Sequence, residues 1–241
     1  MTRMLGEQDY TNVAQDLLAR ASKQGATAAD VMVADGETLS VQVRMGAVDR
    51  LTKAREKRMG LRVFFGQRSA SASTSDFSRD SLERFVQETC ALAQAVVEDP
   101  VSGLPERGQL ATEFPELHIH DATKLQTDEQ IALALRAERA AFAADPRITN
   151  SEGGECDSSS GRIILANSHG FLGHYANSSF SLSVSPIASD AAGMQRDYWH
   201  GVNRSFAKLE SPEAIGQEAT RRTVRKLGAR KVATCRVPVI F

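Results

Sequence analysis

The sequence predicts an α+β protein with two helix-flanked antiparallel β-sheet modules joined by a linker. Amphipathic helical patterns stand at the start and at the end of each half of the 241 residues. Between them, polar and apolar residues alternate at period two, which is typical of half-buried strands. A middle stretch is interrupted by proline and glycine and lacks a sustained period. We therefore divide the chain into a first module at 1–100, a linker at 101–126, a second module at 127–230 and the start of a truncated C-terminal domain at 231–241.

The first module begins with a predicted helix at 10–24. Its apolar residues fall on one stripe, and Gly25 suits the position that follows a helix. Short strands are predicted at 29–34 and at 39–44. Met45-Gly46 then forms a turn into a return strand.

The stretch at 61–76 carries the clearest hairpin pattern in the chain. Residues 63–65 are apolar, and Gly66-Gln67 predicts a tight turn because glycine readily adopts positive φ. Residues 69–73 alternate serine with alanine, as a half-buried return strand does. Ser78 predicts the N-cap of a helix that ends near residue 97.

The second module opens with a predicted helix from Thr127, in which Thr127 and Gln130 form a capping box. Asp145-Pro146 ends this helix. A run of strands follows, with a serine loop at 158–160 and a turn at 167–170. The strands are predicted at 148–155, 161–166, 171–175, 179–185 and 194–202.

The last predicted helix has the strongest start signal in the chain. Ser211 is the N-cap, Pro212 takes the first helical position, and Gly228 ends the helix. Residues 234–241 then predict an apolar strand without a turn or cap. An uncovered strand of this kind predicts that the chain either self-associates or is less stable than a longer chain.

Bulk composition argues against several classes of function. The formal net charge is −1, which leaves no electrostatic footprint for nucleic acid or for an anionic membrane. Three widely spaced cysteines do not form a disulfide framework and indicate a reducing compartment. The first ten residues have no signal-peptide core. These features predict a cytoplasmic protein.

The histidines and cysteines lack the spacing of a metal or nucleophile site. His118 and His120 form an H-x-H pair without a further ligand nearby, and His169 and His174 bracket a predicted turn. Cys156 stands between two acidic residues, which raise a thiol pKa. We therefore expect no stoichiometric zinc in this chain.

No catalytic constellation is visible among the serines or the glycine-rich stretches. The serines at 69, 71 and 73 lack a nucleophile elbow, and the chain has no phosphate-binding loop or dinucleotide fingerprint. The sequence by itself therefore predicts a binding or structural unit.

One segment stands out from this composition and is predicted to face a partner or a peptide. It holds the only tryptophan beside a tyrosine and an arginine, which are the residue types that anchor interfaces. An alternative is that Trp199 caps the core while Arg196 and Asp197 are solvated. The predicted interface residues are Arg196, Asp197, Tyr198, Trp199 and His200.

The segments at 60–64 and 66–76 resemble the first part of the TldD/PmbA metalloprotease family, and those from residue 150 onward resemble its PmbA (TldE) branch. The resemblance covers nearly the whole chain from about Ala26 onward. It is carried by the segments at 60–64, 66–76, 150–153, 166–171, 194–199, 211–213, 221–223 and 238–241.

The resemblance implies a non-catalytic subunit of a bacterial cytoplasmic complex. In the TldD branch, an HExxxH motif binds zinc, and this chain has no such motif. A TldD-like partner would hold the zinc, and the resulting dimer would process peptide or unfolded protein substrates. No catalytic residue carries over to this chain.

Two alternatives stay open at this point. The chain could be a stand-alone peptide-binding or assembly module without a protease role. It could also belong to a metallopeptidase whose zinc site lies after residue 241.

Overall fold

The structure is a computed structural model that describes residues 7–191 and 193–240. This part of the chain contains four α-helices, seven strands and two short 3-10 turns. The helices are α1 (Glu7–Lys23), α2 (Arg79–Ala95), α3 (Thr127–Ala144) and α4 (Pro212–Val224). The strands are β1 (Ala28–Arg44), β2 (Ala47–Phe65), β3 (Arg68–Thr74), β4 (Ile148–Asn167), β5 (Leu172–Asp190), β6 (Gly193–Arg196) and β7 (Trp199–Asn203).

The α+β prediction is confirmed, but the strands of both predicted modules pair in one sheet rather than in two. The strand order is β3-β2-β1-β4-β5-β6, and β7 also pairs with β5. Pairs of predicted short strands are continuous in the structure. The predicted strands at 29–34 and 39–44 both lie in β1, and those at 148–155 and 161–166 both lie in β4.

The predicted serine loop at 158–160 is wrong, because these residues lie inside β4. Two glycines in this region, Gly36 and Gly161, lie where strands approach each other closely. A Cβ atom on Gly161 would lie 3.3 Å from the carbonyl oxygen of Asp35, and one on Gly36 would lie 3.4 Å from that of Ser160. These glycines therefore permit two strands to approach closely instead of turning the chain.

The chain forms two compact units, and each is assembled from three separate segments. The first unit comprises residues up to Thr38, Lys53–Ala122 and Ser159–Ser179. The second comprises Leu39–Thr52, Thr123–Ser158 and the chain from Phe180 onward. Contiguous stretches such as 1–100 and 127–230 do not correspond to these units, since β1, β2, β4 and β5 each contribute to both.

In the first unit, α1 and α2 contribute to a core with one face of the strands. The predicted hairpin is confirmed, because β2 pairs with β3 from Met59↔Thr74 to Phe65↔Arg68. Gly66 in the turn has a φ of 63°. Fully buried members of this core include Leu17, Val31, Leu61 and Val63.

Residues 101–122 of the predicted linker belong to the first unit, and residues 123–126 belong to the second. The linker has no helix or strand apart from the 3-10 turn at Arg107–Gln109. The Ser102 hydroxyl lies 2.8 Å from the Ser69 hydroxyl, and the Arg107 guanidinium donates to the carbonyl of His169 at 2.9 Å. Near its end, the carbonyl of Ile119 accepts from the Ser178 amide at 3.0 Å. Residues 101–122 are therefore held in place within the first unit.

In the second unit, α3 packs against α4 and against the strands through small residues. The buried residues of this core include Ala134, Ala137, Ala141, Leu182 and Ile215. A Cβ atom on Gly154 would lie 2.7 Å from the carbonyl oxygen of Ala134. Glycine and alanine therefore allow the helix backbone to approach the strand closely.

The predicted capping box at Thr127 and Gln130 is wrong. The helix is capped one residue earlier, where the Gln126 amide donates to the Glu129 carboxylate at 2.7 Å. Gln130 instead lies on the buried face of α3, where its side chain is 0% exposed.

A buried carboxylate on α3 holds the first hairpin turn of the second unit. Met45 and Gly46 have φ values of 51° and 79°, as the predicted turn requires. Their amides donate to the carboxylate of Glu138 at 3.0 and 2.8 Å, and Glu138 is 2% exposed. The carboxylate thereby satisfies two backbone donors that a tight turn leaves free.

The cap of α4 is confirmed, but the chain after this helix differs from the prediction. The Ser211 hydroxyl accepts from the Ala214 amide at 3.2 Å, and Pro212 begins the helix. The strand predicted at 234–241 is wrong over 234–240, which contain no strand, and residue 241 lies outside the described residues. No strand of the described chain pairs with this segment, and an isolated strand is not stable in water.

A candidate interaction edge on strands β6 and β7

The predicted strand at 194–202 is broken into β6 and β7, which pair with the same side of β5. Both keep one register, since Ile187 faces Arg196 and Val184 faces Trp199. This register places Pro186 opposite the break, and proline has no amide proton to donate to a ladder. The interruption therefore follows from the sequence of β5.

A helix residue lies beside the carbonyl groups at this break. The hydroxyl of Thr223 on α4 is 3.4 Å from the carbonyl oxygens of both Pro186 and Asp197, and it is 2.8 Å from that of Ala219. The Lys226 ammonium donates to the carbonyl of Arg196 at 3.2 Å. The end of α4 thus provides donors near the break.

Strand alternation divides the five predicted interface residues into two groups. Arg196, Tyr198 and His200 are exposed, whereas Asp197 and Trp199 are half-buried. The exposed group continues in both directions along the edge, where Met194 is 70% exposed and Val202 is 58% exposed. We call this exposed set the outer row, and it consists of Met194, Arg196, Tyr198, His200 and Val202.

The outer row is partly ordered by its own contacts. The Tyr198 ring stacks on the His200 ring, with centroids 5.9 Å apart and an interplanar angle of 23°. Arg196 forms an ion pair with Glu152 on β4. The row therefore presents a flat aromatic pair next to a charged pair, between two apolar side chains.

The half-buried pair, Asp197 and Trp199, attaches the edge to α4 and to residues that flank this helix. Arg222 lies over the Trp199 ring at 4.0 Å from its centroid, and the indole Nε1 donates to the Glu210 carboxylate at 3.1 Å. Asp197 accepts from the Lys226 ammonium at 2.9 Å, and this hydrogen bond lowers the pKa of the Asp197 carboxyl. Trp199 packs against the core of the second unit.

Through these contacts Trp199 packs against the core of the second unit, in line with the alternative that it caps the core. The residues that a partner can reach are those of the outer row, and their binding role stays a prediction. The sequence pattern missed Met194 and Val202, although period-two spacing from Arg196 and His200 would have included them.

Replacing Trp199 with alanine should lower the free energy of unfolding by about 2 kcal/mol, because a half-buried ring and its cation–π contact are lost. Tyr198→Ala is the matched control, since Tyr198 is 55% exposed and should change stability by no more than about 0.5 kcal/mol. Urea denaturation followed by circular dichroism measures both variants. A stable Trp199→Ala variant beside a destabilised Tyr198→Ala variant would contradict this assignment.

The histidines and cysteines do not form a metal-binding or nucleophilic cluster in the described part of the chain. Within residues 7–191 and 193–240, no group of three or more His, Cys, Asp or Glu side chains could hold a metal ion. The Nδ1 atom of His169 instead lies 2.9 Å from the carbonyl oxygen of Pro105. Burial, with a smaller effect of Asp157, raises the pKa of the Cys156 thiol to about 12. The described residues therefore do not fit a zinc site.

Among the described residues, no helix is long and apolar enough to cross a bilayer.

The serines that the sequence pattern singled out form structural hydrogen bonds. Ser158 bonds to the Gln130 side chain, and Ser160 donates to Glu37.

Two family models match most of the chain. Residues 29–93 match the PmbA/TldA metallopeptidase domain 1. Residues 120–227 match the PmbA/TldA metallopeptidase central domain. The order of the two matches follows the order of the two domains in the family.

Curated relatives extend this similarity over nearly the whole chain. The metalloprotease PmbA of Escherichia coli O157:H7 is 37% identical over 213 residues, which cover 88% of this chain and 47% of the relative. The PmbA homologue of Haemophilus influenzae is 34% identical over 235 residues, which cover 98% of this chain and 52% of the relative. The chain therefore spans about half the length of these relatives.

Solved structures share the same fold. A candidate modulator of DNA gyrase from Bacteroides thetaiotaomicron has a TM-score of 0.86 and 26% identity, covering 95% of this chain and 52% of that one. TldE from Thermococcus kodakarensis has a TM-score of 0.71 and 14% identity, covering 87% of this chain and 46% of that one. The second similarity concerns the fold alone.

Proposed function

Because this chain belongs to the PmbA/TldD metallopeptidase family, we propose that it supplies the first and central domains of a PmbA-like subunit without a catalytic role of its own. The observation that carries the proposal is the match of both domains, in order, to PmbA proteins. In this role the chain pairs with a TldD-like protein, which holds the zinc, and the complex processes peptides in the cytoplasm.

The proposal that a partner holds the zinc is supported by the side chains that the described part of this chain offers as zinc ligands. Zinc enzymes bind their metal through three protein side chains and leave one position open. The described residues offer no such set. In this proposal the zinc-dependent step belongs to the partner, while this subunit contributes surface for assembly and for substrate.

We place the contact surface for the partner or the peptide on the outer row. Tyrosine and arginine are enriched among the residues that dominate binding energy. Three large apolar or aromatic side chains of this row, Met194, Tyr198 and Val202, are more than half exposed. An extended peptide can also add to a strand edge through backbone hydrogen bonds, which accommodates substrates of varied sequence.

Replacing Tyr198 and His200 together with alanine should weaken capture of a tagged TldD-like protein from the same organism at least about tenfold, as expected for a hot-spot pair. The melting temperature should stay unchanged. A matched control replaces His174 and Tyr175 with alanine, because both are exposed and Tyr175 is 43% exposed. Equal capture by both double variants would overturn the placement of the contact surface.

The same preparation separates the alternative functions. Elemental analysis should find zinc in the partner and none in this chain, and peptide hydrolysis should require both proteins. Hydrolysis by this chain alone would contradict the non-catalytic role. Peptide binding without any capture of the partner would favour a stand-alone module.

A further inference from the structure

Strand β2 has a long open edge. Its pairing with β3 begins only at Met59, opposite Thr74, so the earlier part of the strand has β1 on one side and no described strand on the other. All residues from 44 to 56 are exposed. An edge of this kind is a template on which another chain can add as a strand.

The part of this edge in the first unit carries three cations at alternate positions. Lys53, Arg55 and Lys57 therefore share one face of β2. Arg55 is held by an ion pair with Asp35 at 2.9 Å, and the Lys57 ammonium lies 4.6 Å from the centre of the Phe77 ring. Because Asp35 already neutralises Arg55, an acidic ligand would be attracted chiefly by Lys53 and Lys57.

The opposite face of this part of β2 borders a cleft that also lies over β1 and β4. Ala54, Glu56 and Arg58 border a cleft of about 560 Å³. The floor of this cleft includes Gly36 and Gly161, which have no side chains to obstruct it.

A second copy of this chain is a poor occupant for the edge. Antiparallel pairing of residues 53–58 with themselves would bring cations opposite cations, and like charges in that position oppose pairing. Acidic residues at alternate positions of a different strand would instead face the three cations.

We propose that residues 53–58 of β2 are a docking edge for an extended acidic segment of another protein. The segment adds to the sheet as a strand and places its carboxylates opposite Lys53 and Lys57, on either side of the ion pair between Arg55 and Asp35. The backbone supplies the hydrogen bonds, and the cations select for acidic side chains.

The test uses the whole chain and a fluorescent peptide that alternates glutamate with valine. Fluorescence anisotropy should show binding that weakens as salt is raised. A peptide with lysine in place of glutamate should not bind. Single-stranded oligo(dT) supplies negative charge without strand pairing, and binding as tight as that of the peptide would overturn the proposal.

Backbone methylation separates strand addition from simple charge attraction. Alternate amides of a strand point to opposite edges, so two peptides are N-methylated on the two alternate sets of residues. One set should abolish binding, and the other should leave it unchanged. Equal binding by both methylated peptides would refute strand addition.

Charge reversal locates the site. Replacing Lys53 and Lys57 with glutamate should weaken binding of the acidic peptide at least tenfold, which corresponds to about 1.4 kcal/mol. The matched control, Lys23→Glu with Lys208→Glu, changes two exposed lysines elsewhere and should bind normally. Equal loss in both double variants would show that only net charge matters and would overturn the proposal.

Discussion

Replacing Gln130 with leucine should lower the free energy of unfolding by about 4 kcal/mol, because buried carbonyls lose their donors. The side-chain amide of Gln130 donates to the carbonyls of Cys156 and Leu39 at 3.0 and 3.2 Å, and its oxygen accepts from the Ser158 hydroxyl at 2.5 Å. Leucine has a similar volume, but it can form none of these three hydrogen bonds at a position where Gln130 is 0% exposed.

Urea denaturation of the two proteins gives this difference directly. The control is Gln217→Leu, since Gln217 is exposed on α4 in the same unit and should change stability by no more than about 0.5 kcal/mol. Equal stability of the Gln130→Leu variant and the original chain would show that the amide network contributes nothing.

Replacing Gly216 with alanine should destabilise the protein by about 3 kcal/mol, although the same change in an exposed helix stabilises by up to about 1 kcal/mol. A Cβ atom at this position would lie 2.5 Å from the carbonyl oxygen of Ala137, 2.7 Å from the Cβ of Ala140 and 2.8 Å from the amide nitrogen of Ala141. These atoms belong to α3, so the two helices would have to move apart.

The informative result is whether Gly216→Ala lowers or raises the stability of the protein. Gln217→Ala, one residue further along α4, points to solvent and should be near neutral. A higher melting temperature for Gly216→Ala would contradict the close packing of α3 and α4.

Elements whose causes are local could be predicted from the sequence. The hairpin at 61–76 follows from an apolar run, a glycine turn and serine alternation that are all adjacent in the chain. The start of α4 follows from Ser211 and Pro212, because a cap depends on residues within one turn. These patterns need no knowledge of what packs against them.

Features that depend on distant partners could not be predicted. Glycines in long strands resemble turn signals, and only the approach of another strand shows why Gly161 lies in β4. The burial of Gln130 and Glu138 on α3 could have been predicted, because their helical spacing places them on the same face as Ala134 and Ala141. Their partners, however, are strand carbonyls and a hairpin turn far away in the sequence.

The candidate interface shows the same limit. Composition singled out residues 196–200, and strand alternation could have divided them. The attachment of Trp199 depends on Arg222 of α4 and on Glu210, which precedes this helix; they lie 23 and 11 positions away in the sequence. Only the folded arrangement distinguishes an anchoring tryptophan from an exposed one.

The assembly of each unit from three separate segments has a consequence for how the chain folds. The first unit requires Ser159–Ser179, so it cannot be completed until two of the three segments of the second unit, Leu39–Thr52 and Thr123–Ser158, have also left the ribosome. Contacts between residues far apart in sequence slow folding, because long loops must close before those contacts form. Until β4 (Ile148–Asn167) has been synthesised, β1 lacks one of its two partner strands, and the nascent chain exposes surface that chaperones commonly shield.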